Sequence, residues 1–234
     1  GLGRSIPLSG ITIYGLLDYL HILLLVFWLG TDLGVLLAAR RVREPTLTPA
    51  ERLTLLDLAL RIDLLPRIAF SLMFAVGATL GHLGGTLPLP GWALGLLWTL
   101  TGLWLALTLA LAVSEGKPRQ AALAAVQRVW LVAIALACAG AAAWLLAGTA
   151  PVPGWLALKI GLYGLVCLAA IGIDRAFMPL IPAMGELAES GSSPGLERRI
   201  RGAIDHALGY VYGLYALLLL AAFLGVVKPL FAGA

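Results

Sequence analysis

Charge is scarce in this chain. Asp, Glu, Lys and Arg make up 12% of the residues, about half the share usual in a soluble domain. Sulfur is scarcer still, with two cysteines and three methionines in 234 residues. Cys138 and Cys167 lie far apart, each among apolar residues, without C-x-x-C spacing. That argues against a disulfide framework or a zinc site and leaves packing as their expected role. No Met-x-x-Met pattern joins Met73, Met178 and Met184, so a thioether-rich copper relay has little support. What abounds instead is apolar: 61% hydrophobic residues and a mean hydropathy of +0.97. Long apolar runs recur along the whole chain and leave no stretch for a soluble domain. The class implied is a polytopic membrane protein whose first partner is the lipid bilayer. The net charge of +4 is distributed as membrane topology requires and does not signal nucleic acid.

Six apolar segments stand out, near residues 11–37, 66–86, 92–113, 125–148, 154–177 and 207–228. Each can cross ~30 Å of hydrocarbon as a helix rising ~1.5 Å per residue. The expected fold is therefore all-α, one integral membrane domain over 1–234 with six transmembrane helices. The basic residues set its orientation. Arg40, Arg41, Arg43, Arg52 and Arg61 lie in the 1–2 connection, Lys117 and Arg119 in the 3–4 connection, and Arg198, Arg199 and Arg201 in the 5–6 connection. The 2–3 and 4–5 connections carry no Lys or Arg. By the positive-inside rule the basic connections are cytoplasmic and both termini face the non-cytoplasmic side, with Arg4 or Lys228 nearby. A bacterial inner membrane is the expected location. The chain opens on Gly1, and its first apolar stretch is too long, and too polar at Asp18 and His21, for a signal-peptide core; it reads as a retained span.

Thr48-Pro49-Ala50-Glu51 has the spacing of a capping box with Pro at the first helical position. Leu53, Leu56, Leu60 and Leu64 follow at helical spacing. This predicts an amphipathic helix near 49–64 along the membrane surface; the alternative is a cytoplasmic extension of span 2, kinked at Pro66. The connection Glu186–Gly202 reads as a flexible loop with a basic end. Pro88-Leu89-Pro90-Gly91-Trp92 echoes Pro151-Val152-Pro153-Gly154-Trp155. Either a duplicated hairpin or convergent turn chemistry explains the echo.

The run Leu17–Gly30, LDYLHILLLVFWLG, places Asp18 and His21 in hydrocarbon. Ionisable groups there are costly and normally face the bundle interior. Tyr14, Asp18, His21, Leu25, Trp28 and Asp32 form one helical stripe, so this stripe should face the other spans. By position, His21, His82 and Lys159 fall in one layer of the outer half, ~5–9 Å from the middle of their spans. Two histidines in one layer can clamp a haem iron. Asp18, one turn from His21, is placed to hold its second nitrogen or to meet Lys159. Lys159 can pair with a haem propionate or act as a ligand. His206 opens span 6 at the opposite interface and reads as a surface residue. Tyr210, Tyr212 and Tyr215 read as packing, and Gly209 and Gly213 form a GxxxG pair. Asp32, Arg67, Asp174 and Arg175 read as helix-end charges, with a charged ring as the alternative.

Leu20-His21-Ile22 followed by Trp28-Leu29-Gly30 resembles the first helix of HemJ-type protoporphyrinogen oxidases and of CopD-type copper-resistance membrane proteins. Trp155-Leu156-Ala157-Leu158-Lys159-Ile160 resembles the HemJ-type helix that carries a functional lysine, and Asp174-Arg175-Ala176-Phe177-Met178-Pro179 resembles the end of the CopD-type helix. The HemJ resemblance implies haem b bound through His21, with Lys159 near the reactive site. The HemJ-type histidine near the end of the lysine helix is absent here, and six spans exceed the usual length.

The expected function is thus an integral membrane haem b protein, with a redox or electron-transfer role near the outer leaflet and a quinone or a larger membrane complex as partner. His21 and His82 are the candidate iron ligands. Asp18 and Lys159 are candidate cofactor-binding residues, and Lys159 the candidate catalytic residue. The alternatives are CopD-like copper transport and a non-catalytic subunit of a larger complex; homo-oligomerisation stays open.

Overall fold

The computed structural model describes residues 12–114, 116–148 and 151–229. Gly1, Arg4 and Ile11, the expected first residue of span 1, lie outside them. Among the described residues every element is an α-helix: α1 (Ile13–Val42), α2 (Pro49–Leu83), α3 (Gly91–Ala112), α4 (Gln120–Leu146), α5 (Gly154–Phe177), α6 (Leu180–Ser190) and α7 (Pro194–Val227). Six helices are long and apolar enough to cross a membrane, and the protein is an all-α integral membrane bundle. In lipid only a helix satisfies its own backbone groups within one crossing.

Neighbouring helices pack in chain order, α1 on α2, α2 on α3, α3 on α4 and α4 on α5; α7 closes on α5 and touches α1 more lightly. The α1–α2 pairing follows a seven-residue step. Tyr14 lies against Gly84, His21 against Gly77, and Trp28 stacks on Phe70 with ring centroids 4.8 Å apart. Each step runs seven residues forward on α1 (14, 21, 28) and seven back on α2 (84, 77, 70). That is the antiparallel form of heptad packing, with glycine opposite the larger groups. On the other side of the bundle Gly164 of α5 sits tightly against Ala135 and Cys138 of α4. Both cysteines are buried free thiols.

The surface helix expected at 49–64 is instead the first half of α2. The capping box forms: Thr48 Oγ1 accepts from the Glu51 amide at 3.3 Å, and the Glu51 carboxylate accepts from the Thr48 amide at 2.7 Å. The helix then runs unbroken through Pro66, although proline removes a backbone donor. The physical reason is the burial of its apolar face. Leu56 joins Val42, Leu180, Met184, Leu196 and Ile200 in a core at the basic end of the bundle, so this face covers protein rather than headgroups. The stretch read as a flexible loop is also helical. Leu180, Ala183, Met184 and Leu187 of α6 are buried on one face, and α7 starts at Pro194 with Ser193 as its N-cap. That apolar face was the signal overlooked in the sequence.

Arg52 fastens this end. It is 1% exposed; its Nε donates to the Val42 carbonyl at 2.6 Å and its Nη1 to Glu197 Oε1 at 2.8 Å. One guanidinium thus ties the end of α1 to α2 and α7, and an Arg43–Asp205 ion pair adds a second tie to α7. Replacing Arg52 by Ala removes both of its ties and leaves the Val42 carbonyl and the partly buried Glu197 without their donor, a loss of about 1–3 kcal/mol. Thermal unfolding in detergent should show it as a large drop in Tm, with little change for Arg198→Ala on the exposed face.

Candidate functional site

The two residues the sequence ranks highest do meet. His21 of α1 and Lys159 of α5 line one cavity of about 70 Å³, together with Leu25, Trp28, Met73, Tyr163, Val166 and Leu218. Ala221 and Ala222 of α7 complete the wall. His21, Lys159, Ala221 and Ala222 are only half-buried, so the chamber is not sealed where they line it. It lies in the half of the bundle away from the basic end.

The ring of His21 is set by α2. A Cβ placed at Gly77 would lie 3.5 Å from its Cε1 and 3.9 Å from its Nδ1, so this edge faces the glycine. Nδ1 is buried without a hydrogen-bond partner. Asp18 does not hold it: the carboxylate is exposed and, among the described residues, bonds neither His21 nor Lys159, though it lies within electrostatic reach of both. The Lys159 side chain crosses to α7 at Gly225, where a Cβ would lie 2.6 Å from its Nζ. Lys228, three residues further along α7, sits over the Trp155 ring at 5.8 Å and also acts electrostatically on Lys159.

His82 does not join them. It lies five residues beyond Gly77, which on a helix is ~7.5 Å further along and about 140° around. It is not among the residues lining the chamber, and its own Nδ1 is buried without a partner. Equal depth did not imply equal face, and depth alone had supported the histidine clamp. Met73, which the sequence gave no reason to connect with His21, occupies the wall instead. Its position follows only from the seven-residue register.

Aromatic rings floor the chamber. Phe70 contacts Trp28 and Trp104, both at 4.8 Å, and Tyr163 at 5.4 Å; Tyr163 also stacks on Phe74 at 5.6 Å. The Tyr163 hydroxyl donates to the Phe70 carbonyl at 2.7 Å. Beneath this floor lies a second polar group. Arg67 donates to Asp63 at 2.6 Å and to Asp174 at 2.8 Å, joining α2 to α5. Asp32 of α1 and Tyr215 of α7 stand beside it. Arg175 is exposed and takes no part. The charges read as helix ends are therefore a paired interhelical cluster, apart from Arg175. His206 is exposed and rests on the Tyr210 ring.

Among the described residues no group of three or more His, Cys, Asp or Glu side chains is placed to hold a metal ion. Comparison with family models, with curated proteins and with solved structures finds no match to this chain.

The chamber offers one imidazole, one ammonium and one thioether in an apolar, aromatic setting. It can ligate a soft or borderline metal centre, or neutralise an anionic edge of a lipid-soluble molecule. Gly225→Ala should displace the Lys159 ammonium while costing little stability, because the group that must move ends a flexible side chain. Amine-reactive labelling of Lys159 should change in rate, with Tm nearly unchanged.

Proposed function

We propose that this protein is a membrane redox protein that takes haem b edge-on into the cleft between α1, α5 and α7. By the positive-inside rule the basic end is cytoplasmic, so the cleft opens in the outer half of the membrane. The observation that carries the reading is the meeting of His21 and Lys159 in one incompletely sealed chamber. The donor set suits a haem: His21 for the iron, Lys159 for a propionate, and aromatic rings for the faces of the macrocycle. Met73, on the same wall as His21, would lie beside the group, and its thioether is a further candidate contact. The enclosed volume of about 70 Å³ takes only an edge of such a group, well short of the roughly 300–1,000 Å³ usual for ligand pockets. The remainder would lie where the half-buried residues leave the chamber unsealed. When bound, the haem supplies one-electron chemistry. The chain's own residues orient it, exclude water through the aromatic floor, and hold one counter-charge. A bacterial inner membrane, with a quinone or a larger membrane complex as electron partner, fits this reading.

A second reading rests on the same wall. His21 and Met73 are suitable ligands for Cu(I), and a cavity of this size suits a single ion. The Lys159 ammonium opposes it, because a cation would enter beside an uncompensated positive charge.

Absorption spectra of the full chain, purified in detergent after growth with ample haem, separate the readings. The haem reading expects a Soret band that is lost in His21→Ala, weakened or shifted in Met73→Leu, and kept in His82→Ala. Colourless protein overturns it. Stoichiometric copper that disappears in both His21→Ala and Met73→Leu, without a Soret band, establishes the second.

A further inference from the structure

The buried face of α3 is unlike that of any other spanning helix here. It consists of Thr101, Trp104 and Thr108, spaced by three and four residues so that they form one stripe. Thr101 is 1% exposed and Thr108 3%. Threonines in helices usually turn the hydroxyl back onto the carbonyl four residues earlier. Thr31, Thr54, Thr79 and Thr99 all do so in this protein. Thr101 and Thr108 do not, and their hydroxyl oxygens are buried with no partner among the described residues.

Helix α4, the next in sequence and packed against α3, presents the matching groups. Gln127, 6% exposed, has a buried and unpartnered Oε1, and Trp130 has a buried and unpartnered Nε1. The α3–α4 connection is short, so levels can be counted from the helix ends: Thr101 and Trp130 fall at about the same level, and Thr108 lies ~5 Å nearer the connection than Gln127. Two hydroxyls, one amide oxygen and one indole donor, all buried and unpartnered, thus lie on two adjacent helices within ~10 Å of helix length. Left unpaired in a dry interface, each would keep the desolvation penalty of a buried polar atom. Two residues past the end of α3 lies Ser114, buried, whose hydroxyl accepts from Arg119 Nε at 2.8 Å. Arg119 is exposed.

We propose that the α3–α4 interface is a hydrated seam. Bound water molecules bridge Thr101, Thr108, Gln127 and Trp130 and connect with solvent at Ser114 and Arg119. A buried site with several convergent polar groups is where internal water belongs. The seam reaches Trp104, whose ring packs on Phe70 at 4.8 Å, so it ends against the aromatic floor, on the side of α2 away from His21. It gives the membrane core water access from the basic end, whatever the outer chamber binds.

Hydroxyl radicals generated from water by X-ray pulses test this on the full chain in lipid nanodiscs. Oxidation is read by mass spectrometry at Trp104 and Trp130. Trp92, 73% exposed at the far end, is the solvent-facing reference, and Phe27, exposed on the lipid face of α1, the lipid-facing one. The seam predicts oxidation of Trp104 and Trp130 well above Phe27, reduced at least about threefold in Thr101→Val/Thr108→Val with Trp92 unchanged, because the bridging water loses its partners. Gln127→Leu should lower Trp130 oxidation in the same way and serves if the double variant does not fold. Trp104 and Trp130 as unreactive as Phe27, or oxidation unaltered in the variants that fold, overturns the proposal.

Discussion

The seven-residue register between α1 and α2 fixes the geometry of everything else in the bundle. Hydrocarbon gives helices no hydrophobic reason to associate, so close packing and small residues decide which faces meet. Gly84 and Gly77 admit Tyr14 and His21, and the next step sets Trp28 on Phe70. That single alignment turns His21 inward, puts Met73 on the same wall, and starts the aromatic floor. A one-residue slip would rotate the partners by about 100° and send His21 to lipid or into α2.

The two ends of the bundle are held differently, and the difference explains where the chamber lies. At the basic end Arg52 and Arg43 tie α1 and α2 to α7, over a core that includes α6. At the other end α7 borders the chamber through half-buried Ala221 and Ala222. Tied at one end, the bundle keeps its incompletely sealed chamber toward the other. The ties made by Arg52 and Arg43 stay at the basic end, away from the apolar middle where unpaired charge costs most.

The composition made six spans and their all-α character legible, because apolar runs of this length have few other uses. The shared cavity of His21 and Lys159 was legible only in part: depth put both in one layer, but of the α1 stripe expected to face inward Tyr14 and Asp18 are exposed. The failures share a cause. His82 was placed by depth without its angle, and angle is set by which neighbour α2 meets, information that lies in the register. The helix over 49–64 was assigned to the membrane surface because its apolar leucines do not reveal whether lipid or protein will cover them. Asp174 and Arg67 were assigned to helix ends because their partnership crosses 107 residues of chain, beyond any local spacing rule.

The membrane-embedded cations divide by what surrounds them. Arg67 has two carboxylates within hydrogen-bonding distance, from its own helix and from α5. Its charge is spent on joining helices, and a planar guanidinium suits that forked geometry. Lys159 makes no hydrogen bond or ion pair among the described residues, and a second ammonium, Lys228, lies nearby rather than a counter-ion. Asp18, the one carboxylate within electrostatic reach among the described residues, is exposed. An ammonium held at such a place by Gly225, on the wall of an incompletely sealed chamber, is poorly explained as scaffold, because packing alone would be served better by an apolar side chain. Its charge is better explained as one half of an interaction whose other half is an anionic group arriving from the membrane, and His21 on the facing wall sets what else that molecule must carry.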